Sequence, residues 1–173
     1  MVDLISNSYL EEQKRLHEVY NYGTASIFHA PNIKKILEEN NIANLADYGA
    51  GKKNLQKELI KLGCKNFNYF PYDPVFPAYG NPVASELVCC IDVMEHIEET
   101  YLNNVLDDIK KITLNICYFS IASVPAKKEL SDGTNAHLIQ KPSRWWLPKL
   151  CERFQIQFMS LTKSGFIVIC RSL

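Results

Sequence analysis

The stretch Leu45-Ala46-Asp47-Tyr48-Gly49-Ala50-Gly51-Lys52-Lys53-Asn54-Leu55 constrains this chain more than any other. A short apolar run from Ile42 to Ala46 ends in an acid, and two glycines follow. Leu55, Leu59, Ile60 and Leu62 then recur at helical spacing. The pattern reads as strand, tight turn, helix, the opening unit of a doubly wound sheet. Glycines let the backbone turn sharply and let a ligand approach it closely. The helix that follows would offer free N–H groups and a positive dipole end to an anion. A dinucleotide fingerprint would require a third glycine at position 54, where this chain has Asn54.

Two further pieces follow in order. Asn68-Tyr69-Phe70-Pro71-Tyr72-Asp73 reads as a second strand ending in an acid. Asp73 falls in the roughly 20–30 residue window where doubly wound folds place a ribose-binding carboxylate. A turn aspartate before Pro74 is the competing reading. Glu86 to Ile91 reads as another strand, closed by Asp92-Val93-Met94-Glu95-His96-Ile97. The acid two residues before the first glycine, giving D-x-G-x-G at Asp47–Gly51, resembles motif I of the class I S-adenosylmethionine-dependent methyltransferases. Asp92–Ile97 resembles the D-V-L-E-H segment of that family. It is similar in particular to the quinone-biosynthesis O-methyltransferase and small-RNA 3′-end methyltransferase branches. The resemblance runs in element order from Ile42 to Arg171, and is motif-grade at Asp47–Gly51, Asp73 and Asp92–Ile97.

The length of 173 residues fits one domain with a substantial core. Apolar content of 47% and charged content of 22% are ordinary for a globular protein. A net charge of zero gives no electrostatic footprint for nucleic acid or an anionic membrane. The six cysteines contain no C-x-x-C, which argues against a zinc ribbon or a redox dithiol. Cys89 and Cys90 sit in one strand and should face opposite sides of the sheet as buried thiols. No signal-peptide core opens the chain, and no apolar run approaches the ~18 residues of a membrane span. The expectation is a cytoplasmic protein with no membrane partner.

Residues 7–20 carry Leu10, Leu16, Val19 and Tyr20 at helical spacing behind the capping candidates Ser6, Asn7 and Ser8. Pro31 suits the first turn of a second helix ending near Asn40. After Asp73, the dozen residues to Ser85 hold Pro74, Pro77, Pro82 and Gly80, a loop composition. A crossover alone needs a dozen or more residues. The helix, third strand and second helix that the family places here therefore cannot fit. The expected sheet is mostly parallel, of about six strands, with the third edge strand missing and Val75, Phe76 and Tyr79 beside the adenine instead. A helix over 100–112 follows, then a buried strand over 115–123 and a long polar loop over 124–142. Ser143 opens a short helix. Two strands over 154–161 and 166–170 form a hairpin, matching the antiparallel pair that ends the family fold.

The resemblance implies the roles. S-adenosylmethionine would be held by Asp47, Gly49, Gly51, Asp73, Pro74 and Asp92, with the ribose hydroxyls on Asp73. Residues 1–40 would form an N-terminal helical lid, making Tyr9, His17, Tyr20 and Tyr22 site candidates. Lys53 stands where the family often has glycine, and extends either to water or to the cofactor carboxylate. Asp92, Glu95 and His96, at i, i+3 and i+4, would share one side of a helical turn. With His137 they make an oxygen-rich set suited to Mg²⁺ or Mn²⁺, while Asp92 with Glu95 also reads as a capping box. His137 and His96 are the candidate general bases. One of Trp145 and Trp146 would wall the site. The implied reaction is methyl transfer to an O or N nucleophile of a small-molecule or sugar-like acceptor. An RNA-terminal 2′-O-methyltransferase and a non-catalytic S-adenosylmethionine-binding protein are the alternatives.

Overall fold

In the computed structural model, which describes residues 3–19 and 22–173, one six-stranded sheet carries helices on both faces. The strands are β1 (Asn44–Tyr48), β2 (Asn68–Tyr72), β3 (Ser85–Ile91), β4 (Thr113–Ala122), β5 (Phe154–Leu161) and β6 (Gly165–Ser172). Their order is β2-β1-β3-β4-β6-β5. The first four pair in parallel, and β6 pairs antiparallel with β4 and β5. No strand lies between Pro74 and Pro82, where a single 3₁₀ turn, Pro77–Tyr79, occupies the proline-rich segment. The sheet therefore ends at β2, as the composition of that segment requires.

Among the described residues five α-helices complete the fold: α1 (Asn7–Glu18), α2 (Ser26–Glu39), α3 (Asn54–Lys61), α4 (Leu102–Ile112) and α5 (Ser143–Cys151). Ser6 caps α1, its hydroxyl accepting from the Tyr9 N–H at 3.2 Å. Period-2 alternation divides the strands between two cores. Leu45, Leu87, Cys89 and Tyr118 pack under α2 and α3. Ala46, Val88, Cys90 and Phe119 pack under α4 and α5. Cys89 and Cys90 thus do face opposite sides. The apolar stripe of α4 (Leu102, Val105, Leu106, Ile109 and Ile112) is buried along its length, each such side chain adding ~1.5–3 kcal/mol. No helix among the described residues is long and apolar enough to cross a membrane.

Two helix starts differ from the sequence reading. The first turn of α2 begins at Ser26, so Pro31 lies inside the helix. The Ile27 and Phe28 N–H groups bond to Thr24 and Ala25 in tighter i→i+3 steps, which lengthens the helix toward its N-terminus. Residues Glu99–Tyr101 form a 3₁₀ turn ahead of α4.

Parallel pairing brings the carboxyl ends of β1, β2, β3 and β4 to one rim. The chain leaves β1 for β2 on one side, while β3 and β4 lie on the other. The switch point, where doubly wound sheets bind ligands, falls between β1 and β3.

Candidate active site

A cavity of about 490 Å³ opens at that rim, within the ~300–1,000 Å³ typical of small-molecule sites. Asp47, Gly49, Gly51, Asp73, Pro74, Val75, Asp92, His96 and His137 all line it. From α1, Tyr9, Gln13 and His17 line it at i, i+4 and i+8, one face of the helix. Leu4, Ile5, residues 22–25 and the first turn of α2 at Ser26 and Phe28 line the cavity as well, while the later turns of α2 pack over the sheet. Tyr22 also lines the cavity, and Tyr20 lies outside the described residues.

The glycine turn is built by its contacts with β2. The Gly49 and Ala50 N–H groups both donate to the Tyr72 carbonyl, at 2.8 and 2.9 Å. Gly51 N–H donates to Asp73 Oδ2 at 2.9 Å, and Val75 N–H to Asp73 Oδ1 at 2.9 Å. Gly49 has φ +81°, and a Cβ there would lie 2.4 Å from Val93 Cγ2, so only glycine fits. Each Asp73 oxygen keeps a lone pair beyond its one backbone bond. Burial pushes the Asp73 carboxyl above its usual range, while the two N–H donors and His17 draw it down.

Asp47 is buried beneath this turn, and the Tyr69 hydroxyl donates to its carboxylate. Burial raises its pKa to about 7, against the lowering effect of Tyr69, with Asp73 adding to the rise. Between the ordinary carboxylate pKa and about 7, the folded state therefore binds a proton that the unfolded state has released. Stability from this group is full at low pH and is lost as pH rises through about 7, at up to ~1.4 kcal/mol per pH unit. Asp47→Asn should flatten the fall in stability between pH 4 and pH 7. Urea denaturation of both proteins across that range reads the difference.

The far side of the cavity carries the acid and imidazole groups. One ligand atom from each of Asp92, Glu95 and His137 lies within 4.8 Å of the other two. Asp92 adopts φ +58°, a left-handed conformation that Asp tolerates better than most residues and that often marks a functional turn. Glu95 is fully buried. Its Oε1 accepts from Ala122 N–H at 2.7 Å, and its Oε2 has no hydrogen-bond partner among the described residues. Burial first, and the facing Asp92 carboxylate second, push the Glu95 carboxyl well above its usual range. The bond to Ala122 replaces a capping box, and the 3₁₀ turn Met94–His96 has no side-chain cap.

His96 does not join this group, contrary to the i, i+3, i+4 reading. Asp92 lies outside the helical turn in the left-handed region, so helical spacing does not apply. His96 Nδ1 donates to the Ala136 carbonyl at 2.8 Å, and His137 Nδ1 to the Val124 carbonyl at 2.6 Å. In each ring the carbonyl partner fixes a proton on Nδ1 and leaves Nε2 as the nitrogen not engaged by that bond. The two centroids are 4.7 Å apart. Burial lowers the His96 pKa to about 4, against a raising effect from Asp92, so this ring is neutral at physiological pH. The long loop after β4 is held by Asn135, which bonds both N–H and C=O of Ala126, and by Ser131, whose N–H donates to Glu12 at 2.9 Å.

Several expected residues stand elsewhere. Phe76 and Tyr79 stack on each other behind the glycine turn, with the Tyr79 hydroxyl on the Gly51 carbonyl. Only Val75 of that trio lines the cavity. Lys53 is half-exposed, lies over the Tyr79 ring 5.0 Å from its centroid, and does not line the cavity. Trp146 is fully buried in the α4–α5 core, and Trp145 packs against that core, so neither walls the site. Tyr9, Gln13 and Tyr22 form a hydrogen-bonded chain in the roof. The i, i+4 spacing of Tyr9, Gln13 and His17 was the sequence signal for that lined face.

No protein-family model matches the chain, and no curated protein matches its sequence. Solved structures do match its fold. A Burkholderia thailandensis 1,6-didemethyltoxoflavin-N1-methyltransferase with bound 1,6-didemethyltoxoflavin and S-adenosylhomocysteine superposes with TM-score 0.63 at 12% identity, over 99% of this chain and 92% of that one. The mitomycin 7-O-methyltransferase MmcR gives 0.66 at 12%, over 96% of this chain and 60% of that one. TnmH gives 0.60 at 12%, over 86% and 55%. The chain shares its fold with these proteins, two of which are named as methyltransferases. The chain spans little more than half of TnmH and of MmcR but nearly all of the N1-methyltransferase.

Proposed function

We propose that this chain is an S-adenosylmethionine-dependent methyltransferase that acts on an O or N nucleophile of a small-molecule acceptor. One observation carries the reading. Asp73, bonded to the glycine turn, and two imidazoles whose Nε2 is not engaged by their backbone bonds face opposite ends of one cavity at the switch point. A methyltransferase needs that separation, with a cofactor-binding end and a proton-accepting end.

The remaining lone pairs of Asp73 suit the two ribose hydroxyls, and the glycine turn lies along the same cavity as the backbone for the cofactor's methionyl part to approach. S-adenosylmethionine supplies an electrophilic sulfonium methyl. The protein's task is to hold the acceptor in line with it and to exclude water. His137 Nε2 takes the acceptor proton. His96, kept neutral by burial, presents a second lone pair beside it. The donor set of Asp92, Glu95 and His137 also fits a Mg²⁺ or Mn²⁺ ion, because two oxygens and one nitrogen converge and the buried Glu95 Oε2 has no partner among the described residues. Such an ion would polarise the acceptor oxygen.

Calorimetry with S-adenosylhomocysteine tests the reading. Asp73→Ala should weaken its binding by about 1.5–3 kcal/mol, the worth of charged hydrogen bonds. Unchanged affinity in a folded variant would remove the ribose assignment, and NADH binding of equal strength would remove the cofactor class. Binding without transfer of a labelled methyl group to any acceptor in a metabolite screen would leave a non-catalytic cofactor-binding protein.

A further inference from the structure

The turn that should receive the cofactor's amino-acid end has no amide left for a carboxylate between Gly49 and Gly51. All three N–H groups are engaged, two on the Tyr72 carbonyl and one on Asp73. An anion lying along this turn must therefore find its donors outside those amides. The nearest such group comes from α1. His17 lays the Cε1–Nδ1 edge of its ring over Gly51, with Cε1 3.1 Å and Nδ1 3.7 Å from the position a Cβ would take there. The Nδ1 atom is buried and has no hydrogen-bond partner among the described residues.

The ring is held in place on both sides. Phe76 packs against it edge-on at 5.3 Å and Tyr22 at 4.9 Å. The end of α1 is pinned to the same turn by Lys52, whose Nζ donates to the Val19 carbonyl at 2.9 Å. Just beyond it, Asn54 donates to the Gly23 carbonyl at 3.0 Å. A rigidly seated imidazole with one orphaned nitrogen, facing the line of the glycine turn, has the chemistry of an anion anchor. Burial, and to a smaller extent the Lys52 ammonium, disfavour a charged His17 ring, while the Asp73 carboxylate favours one.

We propose that His17 is a cofactor-binding residue that donates through Nδ1 to the methionyl carboxylate of S-adenosylmethionine. This rests on the methyltransferase reading and adds to it a contact from the roof. It separates two parts of the cofactor. Asp73 reads the ribose, and His17 reads the amino-acid end.

The test compares two ligands that differ only in that end: S-adenosylhomocysteine, and 5′-methylthioadenosine, which lacks the amino acid. His17→Ala should weaken S-adenosylhomocysteine roughly 10- to 100-fold, the range expected for a charged hydrogen bond, and leave 5′-methylthioadenosine within about twofold. His17→Asn places an amide donor near the Nδ1 position and should recover most of the loss. Thermal melting of each variant establishes that it is folded. An equal loss for both ligands would overturn the assignment, as would no loss for S-adenosylhomocysteine. If the wild-type protein binds neither ligand, the cofactor class falls and His17 falls with it. If it binds both and only the His17 effect is missing, the cofactor class stands and the anchor is refuted.

Discussion

His137→Ala should lower turnover by about 10²–10⁴, the usual contribution of a positioned general base, while S-adenosylhomocysteine affinity stays within about twofold. The second half of that result is as diagnostic as the first. His137 stands at the acid–imidazole end of the cavity, whereas Asp73 and the glycine turn stand at the other. A variant that lost both activity and cofactor binding would indicate collapse of the loop that carries His137, because its Nδ1 bond to Val124 also ties that loop together.

The same site offers two ways to remove a proton, and they can be separated. In one, the His137 Nε2 lone pair accepts it directly. In the other, His137, Asp92 and Glu95 hold a divalent ion that lowers the acceptor's pKa. Chelator treatment of the wild-type enzyme should reproduce the His137→Ala loss in the second case, and Mn²⁺ should restore the wild type but not the variant. In the first case activity survives chelator. Glu95→Gln sharpens the comparison. The amide can still accept from Ala122 N–H through its oxygen, so the rim stays folded while a charged ligand is removed. A large loss in Glu95→Gln belongs to the ion, and a small one to the base.

The glycine-turn end of the cavity is legible in the sequence because its contacts are local. Asp47, Gly49 and Gly51 sit in one turn, and Asp73 ends the very next strand, so order and spacing alone bring them to one rim. The trimmed sheet is legible for a similar reason: Pro74, Pro77, Gly80 and Pro82 leave no room for a crossover. The acid–imidazole end depends on contacts between distant segments. Asp92 in the left-handed region breaks the helical spacing that would place His96 beside Glu95. Glu95 then pairs with Ala122, 27 residues away, and His96 with Ala136, 40 residues away. The seat of His17 over Gly51 is set by the packing of α1, which no local pattern encodes. Trp146 and Tyr79 were drawn away from the cavity by the same kind of competition, one into the core and one onto a backbone carbonyl.

The largest effect on stability should come from Gly165→Ala, at a position the cofactor motifs do not include. Gly165 pairs with Ala122 across the β4–β6 ladder. A Cβ there would lie 2.0 Å from the Ile121 carbonyl oxygen and 2.8 Å from Ala122 Cα. Both are backbone atoms within a paired strand, so no side chain can rotate to make room. Overpacking that a core can partly absorb costs 1–3 kcal/mol, and here the backbone itself must shift. A loss of at least about 3 kcal/mol is expected, which for a chain of this size lowers Tm by roughly 6–12 °C. The damage should reach the site as well. Ala122 N–H holds Glu95, and Ser123 N–H holds the Ser164 carbonyl, so a displaced β4 end loosens the acid–imidazole group. Ser164→Ala, one residue away and exposed, keeps every backbone bond and should change stability by no more than about 0.5 kcal/mol. Thermal denaturation of the two variants side by side decides the matter. If Gly165→Ala melts with Ser164→Ala, the close approach of β6 to β4 does not hold the rim as argued. If it melts far below, the hairpin that ends the chain is what keeps Glu95 facing Asp92 and His137.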